Sequence, residues 1–344
     1  MLRVRLFVQR ERKEMAFMPI LITGGAGYIG SHTAGYFKEK GDDVIVADSL
    51  KNGHREAIPD CRFYHGDIRD RGFTDRIFRE NDIEAVVHFA ADSIVSESMD
   101  DPLEYYDNNV CGMVSLLEAM KEHDVKKIIF SSSAAVYGEP DHIPVTEEHD
   151  TVPENTYGET KLAMEKMMKW CSRAYDISYV SLRYFNACGA HPLGSMGEDH
   201  FPETHLIPLI LQVPLGRRDR LMIYGDDHDT PDGTCIRDYV HVMDLAAAHH
   251  LALEYLRSGG ASDVFNLGSG RGYSVKEILD AARRVTANTI PAEVTGRRAG
   301  DPSVLVASSE KAKKVLGWVP QHDSIEQMIS DAWRWHASHP DGYR

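Results

Sequence analysis

The sequence lacks paired cysteines, long apolar runs and an excess of positive charge. Its five cysteines (Cys61, Cys111, Cys171, Cys188 and Cys235) are odd in number and far apart, with no Cys-x-x-Cys pair among them. That pattern excludes a disulfide scaffold and predicts free thiols in a reducing cytosol. No apolar stretch approaches the roughly 20 residues that cross a bilayer, so no membrane association is expected. The first thirteen residues are basic but lack the uninterrupted apolar segment and cleavage site of a signal peptide. Residues 1–17 are expected to form a loose extension, with Met15 or Met18 as an alternative start. Lys and Arg number 38 against 53 Asp and Glu, a net charge of −15. A surface that acidic repels a nucleic-acid backbone, while a few placed arginines can still hold a small anion.

What is present is 344 residues, 42% of them hydrophobic, enough for a sizeable core and more than one compact unit. Apolar strands are predicted at Pro19–Thr23, Asp43–Asp48, Arg62–Gly66, Ala85–Phe89, Lys127–Ser131 and Tyr179–Arg183, with a helix over Ser31–Lys40. Continuous apolar strands separated by helices predict a doubly wound, Rossmann-like parallel sheet of the α/β class. Residues 188–236 are rich in Pro, Gly, His and Asp, and Asp238–Ala246 returns to a strand-then-helix pattern. The expected division is a cofactor domain over 18–187, rejoined by about 237–265, and a smaller mixed α/β substrate lobe from 188–236 and 266–344.

Gly24, Gly27 and Gly30 follow the first strand and open the first helix. Positions without side chains let a backbone turn tightly against a pyrophosphate, and the helix start offers unpaired N–H groups to it. Asp48 ends the next strand, eighteen residues after Gly30. A carboxylate there accepts hydrogen bonds from a ribose diol and repels a 2′-phosphate, which favours NAD over NADP. Two readings stand for Asp67, also at a strand end: an adenine contact or a solvated loop carboxylate.

Ser131-Ser-Ser133 closes the fifth strand, at the sheet edge where open parallel sheets bind ligands. Tyr157 and Lys161, four apart at a helix start, share a face. A free tyrosine, with a pKa of about 10, is a poor base at neutral pH, and a nearby ammonium together with a nicotinamide cation is expected to lower that value.

The segments Thr23–His32, Ser131–Gly138 and Tyr157–Lys161 resemble the extended short-chain dehydrogenase/reductase family. Longer stretches, including Pro102–Val110, Leu182–Asn186, Gly189–Pro192, Met196–Asp199, Gly216–Asp219, Asp232–Asp244 and Arg297–Asp301, are similar to its UDP-glucose 4-epimerase branch, and the likeness runs from about Pro19 to Tyr343. The resemblance implies NAD-dependent inversion of carbon 4 of a UDP-hexose, UDP-glucose and UDP-galactose, with UDP-N-acetylhexosamines as further candidates. It implies Tyr157 as general base, Lys161 as its partner and Ser133 as hydrogen-bond donor, with Ser132 a near alternative. It implies cofactor contacts from Gly24, Gly27, Tyr28, Ile29, Gly30, Asp48, Asn52, Asp67, Ile68, Phe89, Ala90, Asn108 and Tyr184, besides Tyr157 and Lys161. Ser93 stands where some relatives have a cofactor-contacting Lys.

On the nucleotide-sugar side the resemblance assigns Arg237 and Arg298 to the diphosphate, Asp301 to the uridine ribose and Asn186 to the diphosphate or sugar. Leu206, Met222 and Ser133 match substrate positions, His205 replaces an Asn, and Tyr224 replaces a Phe. Leu305 replaces a bulky Tyr, so the pocket is expected to admit an N-acetylated hexose. His241, His249 and His250 have no Glu or Cys at metal spacing in the sequence, and no metal is expected. The competing functions are a UDP-glucuronate or UDP-pentose epimerase on the same scaffold, a 4,6-dehydratase, and a non-catalytic NAD-sensing regulator. Ala134-Ala135-Val136 stands where dehydratases carry Asp-Glu, which argues against elimination. A homodimer through the helices near 108–123 and 157–175 is implied.

Overall fold

The computed structural model describes residues 18–297 and 302–344. The expectation for residues 1–17, and the assignments to Arg298 and Asp301, lie outside the described residues. Seven parallel strands form the main sheet: β1 Ile20–Thr23, β2 Val44–Asp48, β3 Arg62–His65, β4 Ala85–His88, β5 Lys127–Ser133, β6 Ser178–Tyr184 and, after a long excursion, β10 Asp263–Leu267. Their spatial order is β10-β6-β5-β4-β1-β2-β3. The direction of winding reverses between β1 and β4, and such a reversal opens a crevice at the carboxyl edge.

Side-chain alternation explains why helices cover both faces. Ile20, Ile22, Val44, Val46 and Val87 enter one buried cluster, whereas Leu21, Ile45, Ala47, Val86 and Phe130 enter another. Helix α1, Tyr28–Lys40, covers the first face together with α5, Val242–Arg257. Helices α2 (Arg71–Glu80), α3 (Gly112–Glu122) and α4 (Thr156–Tyr175) lie on the second. Burial on both faces is why these strands read as unbroken apolar runs.

The return to the main sheet differs in detail from the expected pattern. The strand at Ile236–His241 (β9) leaves the main sheet and pairs with β7 (Asn186–Cys188), β11 (Gly272–Ser274) and β13 (Val304–Leu305). The segment that rejoins the main sheet is β10, alongside β6. Its sequence, Asp263-Val-Phe-Asn-Leu267, is too short to declare itself against the loops around it. A two-stranded pair, β8 Leu221–Tyr224 with β12 Ala292–Thr295, and helices α6 (Val275–Thr286) and α7 (Ile325–Ser338) complete the second lobe around its own core of Ile210, Leu211, Ile278, Met328 and Ile329.

Candidate active site

The glycine loop is a backbone cradle. Gly24 adopts φ +73°, and a Cβ there would lie 2.5 Å from the Ala90 nitrogen. A Cβ on Gly30 would lie 2.2 Å from the Gly24 carbonyl. The loop is pinned to β4 because the Thr23 carbonyl accepts the N–H groups of Phe89 and Ala90. The first intrahelical bond of α1 runs from Ser31 N–H to Gly27, so helix geometry leaves the N–H groups of Tyr28, Ile29 and Gly30 without an intrahelical acceptor. Such a helix start attracts phosphate. The Tyr28 side chain turns away, donating its hydroxyl to the Gly189 carbonyl at 2.6 Å and tying the cradle to the second lobe.

Asp48 ends β2 beside this loop, 9% exposed. It accepts N–H bonds from Ala26 (2.9 Å) and Leu50 (2.8 Å). Burial raises its pKa, and those two donors counter the rise. The cradle and a fixed carboxylate together fit an adenosine diphosphate moiety. Asp67 is not a free loop carboxylate: Arg69 grips it through Nε at 3.0 Å and Nη2 at 2.7 Å, and burial is outweighed so that its pKa falls. Ile68 is buried beside it, and Asn52 is exposed. Phe89 lies with its ring 4.6 Å from His249. Near Ser93, a lysine arrives from elsewhere in the chain: Lys51 Nζ reaches Asp92 at 2.8 Å and Glu104 at 3.0 Å.

Three consecutive serines at the end of β5 have three different fates. The Ser131 hydroxyl meets the Tyr184 hydroxyl. Ser132 is fully buried and donates to Glu165 at 2.6 Å. Ser133 is the one of the three whose side chain acts on the Tyr157 phenol, pulling its pKa down, and its hydroxyl accepts the Ala135 N–H at 3.1 Å. Strand alternation turns Ser132 into the interior and keeps Ser131 and Ser133 on the opposite face, where Ser131 is taken by Tyr184 and Ser133 is the one that acts on Tyr157. Tyr157 stands in the first turn of α4, whose N-cap Asn155 accepts the Gly158 N–H at 2.8 Å. One turn on, Lys161 is buried, donates to the Ser131 carbonyl at 2.8 Å and lies 5.7 Å from the centre of the Tyr157 ring.

The protein groups alone do not produce the acidification expected of Tyr157 beside both Lys161 and a nicotinamide cation. Burial raises the Tyr157 phenol above its ordinary value, and the Ser133 hydrogen bond only partly offsets this. Burial also brings Lys161 down to about 7, against the pull of Glu165. The lysine therefore sheds its charge before the phenol ionises. An acidic phenol here needs a further positive charge close by.

Two supports escaped sequence reasoning. Asn109, rather than its neighbour Asn108, is the fixed amide: it bonds both backbone groups of Asp92 (2.8 and 3.1 Å) and the Thr160 hydroxyl (3.0 Å). Asn108, half-buried, donates to the Asn109 amide oxygen. Both asparagines fall in a π-helical turn, Tyr106–Cys111, a feature often found at functional sites. The second support is Glu165, paired in the interior with Arg183. Its place four residues after Lys161 was a signal available in the sequence.

The second lobe carries the remaining residues singled out from the sequence. β9 sets Arg237 opposite Leu305 on one side and Tyr239 opposite Asn186 on the other. Asn186 donates to the Asp238 carbonyl at 2.9 Å, and Arg237 donates to the Ile236 carbonyl at 2.8 Å. Met222 and Tyr224 lie on β8, and Tyr224 is 39% exposed. His205 and Leu206 open the short helix Leu206–Leu211. His205 Nδ1 lies 2.6 Å from Glu198, and their attraction holds the carboxyl low against its own burial and the half-exposed imidazole high. His241 and His250 do have carboxylate neighbours in space, Asp331 and Asp42.

Residues 20–268 match the NAD dependent epimerase/dehydratase family. The chain belongs to the NAD-dependent epimerase/dehydratase family. The UDP-glucose 4-epimerase of Halalkalibacterium halodurans is 59% identical over 326 residues, 95% of this chain and 98% of that one. The crystal structure of the Brucella ovis UDP-glucose 4-epimerase in complex with NAD is 45% identical with a TM-score of 0.90, covering 92% of this chain and 97% of that one. That of the Bifidobacterium longum UDP-glucose 4-epimerase with NAD+ and UDP is 40% identical with a TM-score of 0.89, covering 94% and 99%. The glycine cradle and the Ser133, Tyr157, Lys161 cluster thus lie within a family defined by NAD-dependent epimerases and dehydratases, and both lobes fall within the relatives' coverage. Among the described residues, no helix is long and apolar enough to cross a membrane.

Proposed function

We infer that the chain is a UDP-glucose 4-epimerase, interconverting UDP-glucose and UDP-galactose with NAD as its resident cofactor. The observation that carries the residue assignment is Tyr157 beside Ser133 at the carboxyl end of β5, with Lys161 one turn away. Gly24, Gly27, Gly30 and the amides of Tyr28 and Ile29 hold the diphosphate of the cofactor, and Asp48 holds its adenosine ribose. Asn52, Asp67, Ile68, Phe89, Ala90, Asn108 and Tyr184 complete that side. NAD, when bound, accepts the hydride from carbon 4 and gives it back, and its oxidised ring supplies positive charge near the phenol.

Tyr157 takes the proton from the 4-hydroxyl and later returns it, while Ser133 hydrogen-bonds the reacting oxygen. Lys161, anchored on the Ser131 carbonyl, holds the helix turn against the strand and adds charge when protonated. Residues 18–187 with the returning 242–267 segment serve the cofactor, and the second lobe serves the UDP-sugar. There Arg237, Arg298, Asp301, Asn186, His205, Leu206, Met222 and Tyr224 take the nucleotide, with Tyr224 exposed enough to stack on uracil. Leu305, packed beside Val136, Tyr137, Val145 and Leu162, leaves more room than a tyrosine for an N-acetyl group.

Two broader assignments go with this reading. The five free cysteines accord with the cytosol. Met99 (58% exposed), Leu103 (78%), Val114 (43%) and Trp170 (65%) on the helices of one flank are apolar surface that a homodimer would cover. Replacing Tyr157 with Phe removes the base and keeps the ring. Conversion of UDP-galactose, followed by chromatography, is expected to fall by about 10²–10⁴-fold with NAD binding retained. Unchanged turnover in that variant would refute the assignment.

A further inference from the structure

We propose that Glu198, His200, Glu203 and His205 form a binding site for a divalent transition-metal ion of the zinc class. The four side chains come from eight consecutive residues, and one ligand atom from each lies within 4.8 Å of the others. His200 Nδ1 stands 3.1 Å and His205 Nδ1 2.6 Å from Glu198 Oε1. Glu203 Oε1 stands 3.5 Å from His205 Nδ1. Bonds of about 2.1 Å to a tetrahedral ion put neighbouring ligand atoms about 3.4 Å apart; the 3.1 and 3.5 Å spacings lie near that value, and the 2.6 Å contact of His205 with Glu198 would have to open to admit the ion.

The angles support the same reading. Glu198 is 3% exposed, and its Oε1 makes no hydrogen bond despite two ring nitrogens close by. The nitrogens lie near the oxygen without aiming along it, so the donor atoms surround a shared space instead of pairing. A buried carboxylate oxygen in that state is balanced by a cation, the His205 imidazolium when no ion is bound and the metal in its place when one is. Glu203 is preset for the task, because its Oε1 accepts the N–H groups of Thr204 (2.7 Å) and His205 (2.8 Å). Two imidazoles with two carboxylates suit zinc and its neighbours; magnesium and calcium favour more numerous, all-oxygen ligands. The reading from His241, His249 and His250 that no metal binds did not weigh this segment.

A second group, His241, His322 and Asp331, does not carry the same argument. His241 Nδ1 accepts the Met243 N–H at 3.1 Å, which leaves the proton on Nε2, facing Asp331 at 3.4 Å. Among the described residues, His241 Nε2 and Asp331 Oδ2 make no hydrogen bond either, and the group offers three donors, one short of a closed tetrahedral set.

The place of the Glu198 site gives the ion a bracing role. The His200 ring lies 6.2 Å from Tyr28, on the helix that opens the glycine cradle. The Glu198 carbonyl accepts from Trp335 of α7 at 3.3 Å. His205 leads directly into the helix that begins with Leu206. An ion here ties the cofactor helix to the loop feeding the nucleotide-sugar lobe.

The test uses the full chain, stripped with a chelator and titrated with zinc chloride alone. Expected are stoichiometric binding at or below micromolar zinc, by calorimetry and elemental analysis, and a melting temperature that rises with zinc. His200→Ala and Glu203→Gln are each expected to weaken binding by at least about 10–100-fold, while circular dichroism and NAD binding show that both variants fold. Cobalt(II) is expected to give a visible spectrum without a thiolate band. Binding only at millimolar zinc, a thiolate band, or undiminished stoichiometry in both variants would overturn the proposal and leave two metal-free His–Glu pairs.

Discussion

The buried pair Glu165–Arg183 is the support on which the reactive cluster rests, and breaking it makes a sharp test. Both side chains are 7% exposed. Arg183 gives Nε to Glu165 Oε1 at 2.9 Å, Nη2 to Oε2, and Nη1 to the Tyr137 hydroxyl at 2.9 Å. Tyr137 passes its proton-donor bond to Asn266 at 2.7 Å, and Asn266 holds the Val145 carbonyl at 3.0 Å. Glu165 also takes the Ser132 hydroxyl, one residue before Ser133, and lies one turn after Lys161. Glu165→Leu strands an interior guanidinium, for which a loss of about 3–5 kcal/mol is expected. At about 2–4 °C per kcal/mol for a large domain, the melting temperature should fall by roughly 6 to 20 °C, nearer the lower figure for a chain of this length. Glu165→Leu combined with Arg183→Met removes both charges, and most of that loss should return. Turnover of UDP-galactose should drop in the single variant even well below its melting temperature, because the strand carrying Ser133 loses its anchor. Calorimetry of these two variants and of Arg183→Met alone, with parallel turnover measurements, checks this. A single variant melting within about 2 °C of the parent, or a double variant less stable than both singles, would refute the reasoning.

Gly24→Ala places a Cβ against backbone at φ +73°, where about 1–2 kcal/mol of conformational cost adds to the clash; NAD titrations should show affinity lowered by tenfold or more, and affinity within twofold of the parent would count against the cradle. Lys161 has a folded-state pKa depressed to about 7 from its ordinary 10.5, so the cost of burying its charge is full below pH 7 and fades as pH rises towards 10.5. Lys161→Met should accordingly stabilise the cofactor-free chain more at pH 6 than at pH 9, in thermal melts of both proteins. Leu305→Tyr should leave UDP-galactose turnover intact and suppress turnover of UDP-N-acetylgalactosamine; equal loss on both substrates would show that position 305 does not read the N-acetyl group.

Much of the architecture was legible because burial on both faces of a parallel sheet leaves a plain mark on the chain. Six strands at Ile20–Thr23, Val44–Asp48, Arg62–His65, Ala85–His88, Lys127–Ser133 and Ser178–Tyr184 fall where the apolar runs predicted them. The glycine loop and the Tyr157, Lys161 pair were legible for a related reason: their chemistry depends on neighbours within one turn of backbone, and sequence spacing records that directly. The seventh strand, Asp263–Leu267, was not, since five residues of mixed polarity carry no period of their own and pair with β6 only through long-range contacts.

The sequence by itself determined the alternation of strands and helices, the tight glycine turn between β1 and α1, the carboxylate at Asp48 and the presence of three candidate serines. Only the tertiary structure decided which serine meets Tyr157, because the pleat of β5 sends Ser132 inward to Glu165 and Ser133 outward to the phenol. It also decided that Lys161 alone leaves Tyr157 a weak acid, because burial acts on both groups and is set by everything packed around them. Electrostatic strength depends on solvent exclusion, and exclusion belongs to the assembled fold, not to the spacing of residues along the chain.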